Sequence, residues 1–190
     1  MSGFVADNSD AFYGGKYVKK LESSFCKYFK SKYAISVNSW TSGLVCAVGS
    51  LNIKPGDEII VTPWTMSATA SAIIFWGAIP VFSEIDEKTF CLDFRNLEKK
   101  ITKKTKAIMV ADIFGQPANY KEIMKIAKKN NLKVISDTAQ AIGSKVNNKY
   151  AGTIADIGGF SLNRHKHIQT GEGGIILTNN KYLADNMYKI

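Results

Sequence analysis

Apolar residues in this chain gather into short runs that alternate with longer segments of helical period, almost from end to end. The runs predict strands at Ala34–Val37, Glu58–Thr62, Ile79–Phe82, Lys106–Ala111, Lys133–Ser136 and Gly174–Thr178, with a further one near Asp156–Leu162. The helical stretches are Lys16–Lys30, Thr41–Leu51, Ser67–Trp76, Phe94–Ile101, Tyr120–Asn130 and a helix that starts at Lys181. Around Ile59 and Ile108 the apolar runs are continuous, as in strands covered on both faces. Breakers fall between elements: Lys54-Pro55-Gly56-Asp57 precedes one strand and Gly115-Gln116-Pro117 follows another. Such a succession implies an α/β protein with a mostly parallel sheet, right-handed crossovers and an antiparallel arrangement at one edge. Neither a repeat nor a linker interrupts it, so residues 1–190 are expected to form a single domain.

Composition narrows the class. Of 190 residues, 45% are apolar and 22% charged, which is ordinary for a folded domain and excludes a disordered or fibrous chain. No run approaches the roughly 20 apolar residues of a membrane span. The start, Met-Ser-Gly-Phe-Val-Ala-Asp, lacks the basic-then-apolar pattern of a secretory signal, so a cytoplasmic location without a membrane partner is expected. Cys26, Cys46 and Cys91 are widely spaced and form no CxxC pair, and only His165 and His167 could join them. A disulfide framework or a zinc site is therefore not expected, and Cys26 and Cys46 read as small core residues.

The net charge of +9 raises the question of a nucleic-acid partner. Only Arg95 and Arg164 are arginine, and the other 23 basic residues are lysines scattered along the sequence. Readers of bases and phosphates lean on the planar fork of arginine. The spacing Lys121, Lys125, Lys128, Lys129 instead describes one solvated helix face. Nucleic acid is not an expected partner, whereas an anionic small molecule suits the charge.

In open parallel sheets, ligands bind beyond the carboxyl ends of the strands, so the residues there carry the functional reading. Asn38-Ser39-Trp40-Thr41-Ser42-Gly43 is a small-residue turn feeding a helix, able either to cradle a phosphate or simply to cap the helix through Ser39 or Thr41. It is neither a P-loop nor a GxGxxG turn. Asp137-Thr-Ala-Gln140 reads locally as a capping box, or as a carboxylate facing a cationic ring nitrogen. Phe160-Ser161 leads through Arg164-His165-Lys166-His167 to Gly171-Glu-Gly-Gly174. Crowding by cations there would favour a free amine on Lys166, against the plainer reading of one surface lysine among many. Phosphate cradle, carboxylate and lysine together form the minimum set for pyridoxal phosphate chemistry.

With these pieces in that order, the sequence resembles the DegT/StrS-type sugar aminotransferases over essentially its whole length. The stretches that carry the resemblance are Lys54-Pro-Gly-Asp-Glu58, Gly77-Ala-Ile-Pro-Val81, Ser136-Asp-Thr-Ala-Gln-Ala141, and Phe160-Ser161 leading to Lys166 and Gly171-Glu-Gly-Gly174. The resemblance implies the three-layer large domain of the aspartate-aminotransferase-like fold, with pyridoxal 5'-phosphate as cofactor. Lys166 would bind the cofactor as a Schiff base, and Asp137 would pair with its pyridine nitrogen. Gln140 would contact the 3-hydroxyl side, and Thr41, Ser42 and Ser161 would hold the phosphate. Met66 stands where many members place an aromatic that stacks on the ring, with Trp64 beside it as a substitute.

There are further departures. Ser39-Trp40-Thr41 replaces a common Ser-Gly-Thr, implying a less open cradle, and Leu162-Asn163 replaces a common Phe-His. Some relatives carry histidine in place of the lysine and act as sugar dehydratases; here the spacing to Gly171 puts Lys166 in that place. Members run to about twice this length and work as homodimers with shared sites. The helix from Lys181 runs to Ile190 without a breaker, so the chain is expected to be an N-terminal part that lacks the small C-terminal domain. The implied activity is amino transfer from glutamate or glutamine to a keto-sugar, nucleotide-linked, or to a keto-cyclitol. The alternatives are a dehydratase on the same scaffold and a non-catalytic binding or regulatory fragment.

Overall fold

The computed structural model describes residues 14–190. Seven strands form one sheet: β1 (Tyr33–Val37), β2 (Glu58–Val61), β3 (Ile79–Phe82), β4 (Thr105–Ala111), β5 (Lys133–Asp137), β8 (Ile157–Ser161) and β9 (Gly174–Thr178). Between them lies a small hairpin, β6 (Lys145–Val146) with β7 (Lys149–Tyr150). Across the sheet the order is β1-β9-β8-β5-β4-β2-β3. The β8-β5, β5-β4, β4-β2 and β2-β3 pairs are parallel, while β9 runs antiparallel to both β8 and β1. The reversed strand is thus second from the edge; the edge strand β1 points the same way as the parallel block.

The helices are α1 (Lys16–Phe29), α2 (Trp40–Gly49), α3 (Ser67–Phe75), α4 (Leu97–Lys100), α5 (Tyr120–Lys129) and α6 (Lys181–Met187). Successive strand residues point to opposite faces, and both faces are covered. Ala107 and Met109 of β4 face a cluster with Leu44 of α2, Ile73 of α3 and Leu183 of α6. Ile108 and Val110 face another with Leu97 of α4 and Ile123 and Ala127 of α5. Phe29 of α1 packs with Phe160, Ile175 and Leu177 at the β8-β9 end. This is the three-layer arrangement expected, and it explains why the strand sequences are apolar on both sides. On α5 the expected solvated face is present: Lys121, Lys125, Lys128 and Lys129 are exposed opposite buried Tyr120, Ile123 and Ala127.

Several expectations need correction. The predicted helix Phe94–Ile101 is a 3-10 turn, Phe94–Asn96, capped by Asp93, followed by the single turn of α4. Cys26 and Cys46 are only half-buried at the margins of the core, and Cys91 is the buried thiol. Burial pushes the Cys91 thiol up to about 11. Among the described residues no helix is long and apolar enough to cross a membrane.

Candidate active site

The carboxyl ends of β1, β8, β5, β4 and β2 open into one cleft of roughly 210 Å³, where a parallel sheet places its ligands. Thr41, Met66, Asp137, Gln140, Ser161 and Lys166 all line it. Ser42, also expected there, does not; its hydroxyl lies 3.1 Å from that of Ser39.

At the β1 end, Ser39 caps α2, its hydroxyl accepting from the amide of Ser42 at 3.1 Å. The capping reading of this turn is therefore right, and it does not exclude the other. The amides of Trp40 and Thr41, in the first turn, have no partner within the helix and suit an anion. The exposed Thr41 side chain stands beside them. The tight approach of β9 makes this turn possible: a Cβ on Gly174 would meet Trp40 N at 2.8 Å.

Trp40 was expected to narrow the cradle. Trp40 does line the cleft, but its indole is only 5% exposed and packs against Gly43 and Gly159. From there Nε1 donates to Asp137 Oδ1 at 2.7 Å.

Asp137 ends β5 and is 7% exposed. No helix follows it, so the capping-box reading fails. Its Oδ1 accepts from Trp40 and, at 3.2 Å, from the amide of Ala139; its Oδ2 accepts from the Thr69 hydroxyl at 2.7 Å. Thr65 Oγ1 lies 2.8 Å from Thr69 Oγ1. Since Thr69 spends its proton on the carboxylate, Thr65 must donate to Thr69. Gln140, rather than reaching back to Asp137, accepts from the amide of Phe114 at 2.7 Å. Phe114 is 73% exposed with φ of 52°, a left-handed conformation that a bulky residue adopts only under constraint.

Lys166 sits half-buried in the loop between β8 and β9, on a turn closed by its amide donating to Asn163 O at 2.9 Å. Asn163 Nδ2 donates to both carboxylate oxygens of Glu172 at 2.7 Å, and Leu162 N donates to Gly173 O at 2.9 Å, so both ends of the loop are tied together. His165 lines the cleft and His167 does not. Ser161, ending β8, accepts from the amide of Asn163 at 3.3 Å. Met66 stands 63% exposed on the rim at the start of α3. Trp64 is outside the lining and packs on Phe90, ring centroids 6.3 Å apart, so Met66 and not Trp64 faces the cleft.

Beside Asp137, and also lining the cleft, is a second carboxylate that the sequence did not point to. Asp112, 1% exposed, follows β4 and donates its amide to Asp137 O at 2.9 Å. Its Oδ1 accepts from Ala118 N and its Oδ2 from Tyr120 Oη, both at 2.9 Å; Tyr120 Oη and Ser136 Oγ also bond. Burial pushes the Asp112 carboxyl up to about 7, the charge of Asp137 adds to the rise, and the hydrogen bonds oppose it. Asp112 was legible in part, since it follows an apolar strand as Asp137 ends one; Thr69 lies in the predicted helix and Thr65 in the turn before it, and nothing in the spacing joins them.

These residues fit pyridoxal phosphate. Free amides and a hydroxyl at the start of α2 suit its phosphate, a buried carboxylate its ring nitrogen, and a lysine on a tied loop its aldehyde.

Known proteins point the same way. The model of the DegT/DnrJ/EryC1/StrS aminotransferase family matches residues 5–190. The GDP-perosamine synthase of Escherichia coli O157:H7 is 43% identical over 171 residues, 90% of this chain and 47% of the relative. The X-ray structure of the aminotransferase from Psychrobacter cryohalolentis superposes with a TM-score of 0.90 at 38% identity, covering 93% of this chain and 45% of that one. A GDP-4-keto-6-deoxymannose-3-dehydratase with a trapped PLP-glutamate geminal diamine gives 0.87 at 35% identity, covering 91% and 46%. The chain spans about half the length of the curated relatives it matches. It belongs to the DegT/DnrJ/EryC1/StrS aminotransferases, a pyridoxal phosphate-dependent family.

Proposed function

We propose that residues 1–190 form a single domain, the N-terminal part of the cofactor-binding large domain of an aminotransferase. It moves an amino group from glutamate or glutamine to a keto-sugar, nucleotide-linked, or a keto-cyclitol. The observation that carries this is the sharing of one cleft by Asp137 and Lys166 at the carboxyl ends of β5 and β8. When bound, pyridoxal phosphate supplies an electron sink that lets the carbon bearing the amine lose its proton. Asp137 holds the ring nitrogen protonated by opposite charge. Lys166 Nζ takes the proton from the donor's α-carbon and returns it on the other side of the transfer. Thr41 and Ser161 would anchor the phosphate end, while Ser42 lends its amide to the Ser39 cap that fixes the turn. Gln140 would contact the 3-hydroxyl side of the ring, and the Met66 thioether would pack over its face.

A homodimer with shared sites is part of this reading. It is supported by the exposed apolar side chains of Ile74, Phe75, Ile79 and Phe82 on α3 and the edge strand β3. A cytoplasmic location is supported by three unpaired cysteines.

Borohydride reduction of the cofactor-loaded protein, followed by peptide mapping, tests the assignment. The label is expected on Lys166, and a label on any other lysine refutes it. Incubation of the intact protein with glutamate and a keto-sugar separates the two chemistries: an amino sugar supports transfer, and a deoxy sugar without net amination identifies the dehydratase.

A further inference from the structure

Asp137 takes three hydrogen bonds from its own chain: Trp40 Nε1 and Ala139 N on Oδ1, and Thr69 Oγ1 on Oδ2. An ionised carboxylate offers roughly four acceptor positions, two on each oxygen. Oδ1 is therefore filled, and Oδ2 retains one place. Neither side-chain donor is free to swing away. The Trp40 ring is wedged against Gly159, where a Cβ would strike it. Thr69 is wholly buried, and its oxygen receives the proton of Thr65.

We propose that Trp40 and Thr69 are positioning residues that reserve a single acceptor site, on Oδ2 of Asp137, for a ligand group bearing one N–H. The inference rests on the cofactor reading above. The protonated ring nitrogen of pyridoxal phosphate presents one N–H, whereas a guanidinium or amidinium presents a fork that needs both oxygens. With Oδ1 closed, Asp137 accepts the first and discriminates against the second. Trp40 is then more than filler where relatives often carry a small residue, because its indole fixes the carboxylate from behind. Thr69, with Thr65 donating to it, fixes the rotation of the same carboxylate from the α3 side.

The test uses the intact protein and pyridoxal phosphate labelled with 15N in the ring. Two quantities are read: the cofactor Kd from visible absorbance, and the 15N shift, which separates a protonated from a bare ring nitrogen. Thr69→Val removes the hydroxyl at similar size, Thr69→Ser restores it, and Trp40→Phe keeps an aromatic ring without the N–H. Loss of one hydrogen bond to a charged group is expected to weaken binding about tenfold. The ring-nitrogen signal is expected to move toward the bare form in Thr69→Val and Trp40→Phe, and both quantities to recover in Thr69→Ser. Melting temperatures are recorded alongside. A fall in Tm with Kd and 15N shift unchanged means that the two residues only pack, and overturns the proposal. If Trp40→Phe does not fold, the Val and Ser pair at Thr69 decides the matter. Wild-type protein that binds no pyridoxal phosphate overturns the functional reading and this inference with it. Wild-type and variant proteins that bind equally, all with protonated nitrogen, overturn only the positioning role.

Discussion

Replacing Asp112 by Asn should change how stability depends on pH. The folded protein raises the Asp112 carboxyl from an ordinary 3.8 to about 7, chiefly because the group is buried. Below both values it is protonated in folded and unfolded chains alike and contributes nothing. Between them the folded chain holds a proton that the unfolded chain has released, so stability falls as pH rises. Above about 7 the penalty is complete; three units at 1.36 kcal/mol each amount to about 4 kcal/mol. That is a large share of the roughly 5–15 kcal/mol by which domains are usually stable. Asn keeps an oxygen for the Ala118 amide and offers Nδ2 to Tyr120, much as the protonated acid does.

The other groups around Asp112 do not obscure the effect. Tyr120 and Cys91 are pushed upward, away from this window. Asp86 and Asp93 are held low, Asp86 first by backbone amides and Asp93 first by Arg95, so their contributions are lost only in stronger acid. Glu22, raised by burial, tilts the profile in the same direction as Asp112. The difference between wild type and variant is therefore the quantity to read. Between about pH 5 and about pH 8 denaturant unfolding should show wild type weakening by about 2–3 kcal/mol more than Asp112→Asn, the rest of the penalty falling below pH 5. A variant that retains the wild-type slope would refute the argument.

Two further outcomes follow from the same geometry. Gly159→Ala puts a Cβ into the Ile175 carbonyl and the Trp40 ring, so calorimetry should show a loss of about 1–3 kcal/mol or more, with weaker cofactor binding as the indole is displaced. Asp137→Asn turns an amide toward donors on Trp40 or Thr69, costing about 1–3 kcal/mol in denaturant unfolding, while transamination by the intact protein falls by orders of magnitude. Activity that survives this change would remove Asp137 from the mechanism.

The sheet was legible because its strands announce themselves: Ile79–Phe82 and Gly174–Thr178 occupy the predicted residues, and the other predicted strands differ only at their ends. Strand order was not legible, since nothing local in Gly174–Thr178 says that it runs backwards between two others. The β6-β7 hairpin was missed although Asn147-Asn148 carries its signal. Both residues adopt positive φ, 48° and 62°, as a two-residue hairpin turn requires. The capping box at Asp137 misled because its pattern needs a helix after it, and the chain turns instead. For Trp40 the sequence gives size but not direction: only the packing against Gly159 shows that its ring turns inward from the cleft wall.

The reversal of β9 also orders events during synthesis. Among the described residues β1 has no sheet neighbour except β9, whose paired residues lie 137 to 145 positions further along the chain. Such distant pairings are slow to form and leave a bare strand waiting. On the ribosome, β2, β3, β4 and β5 are made in succession and can pair with one another, so the strand that carries Asp137 has one of its two partners early and waits for β8 on the other side. β1 remains unpaired until residue 178 has been added. The turn after it, whose backbone rests on Gly174, has nothing to rest on before then. Translation thus delivers the carboxylate side of the cleft first and its anion-binding side last.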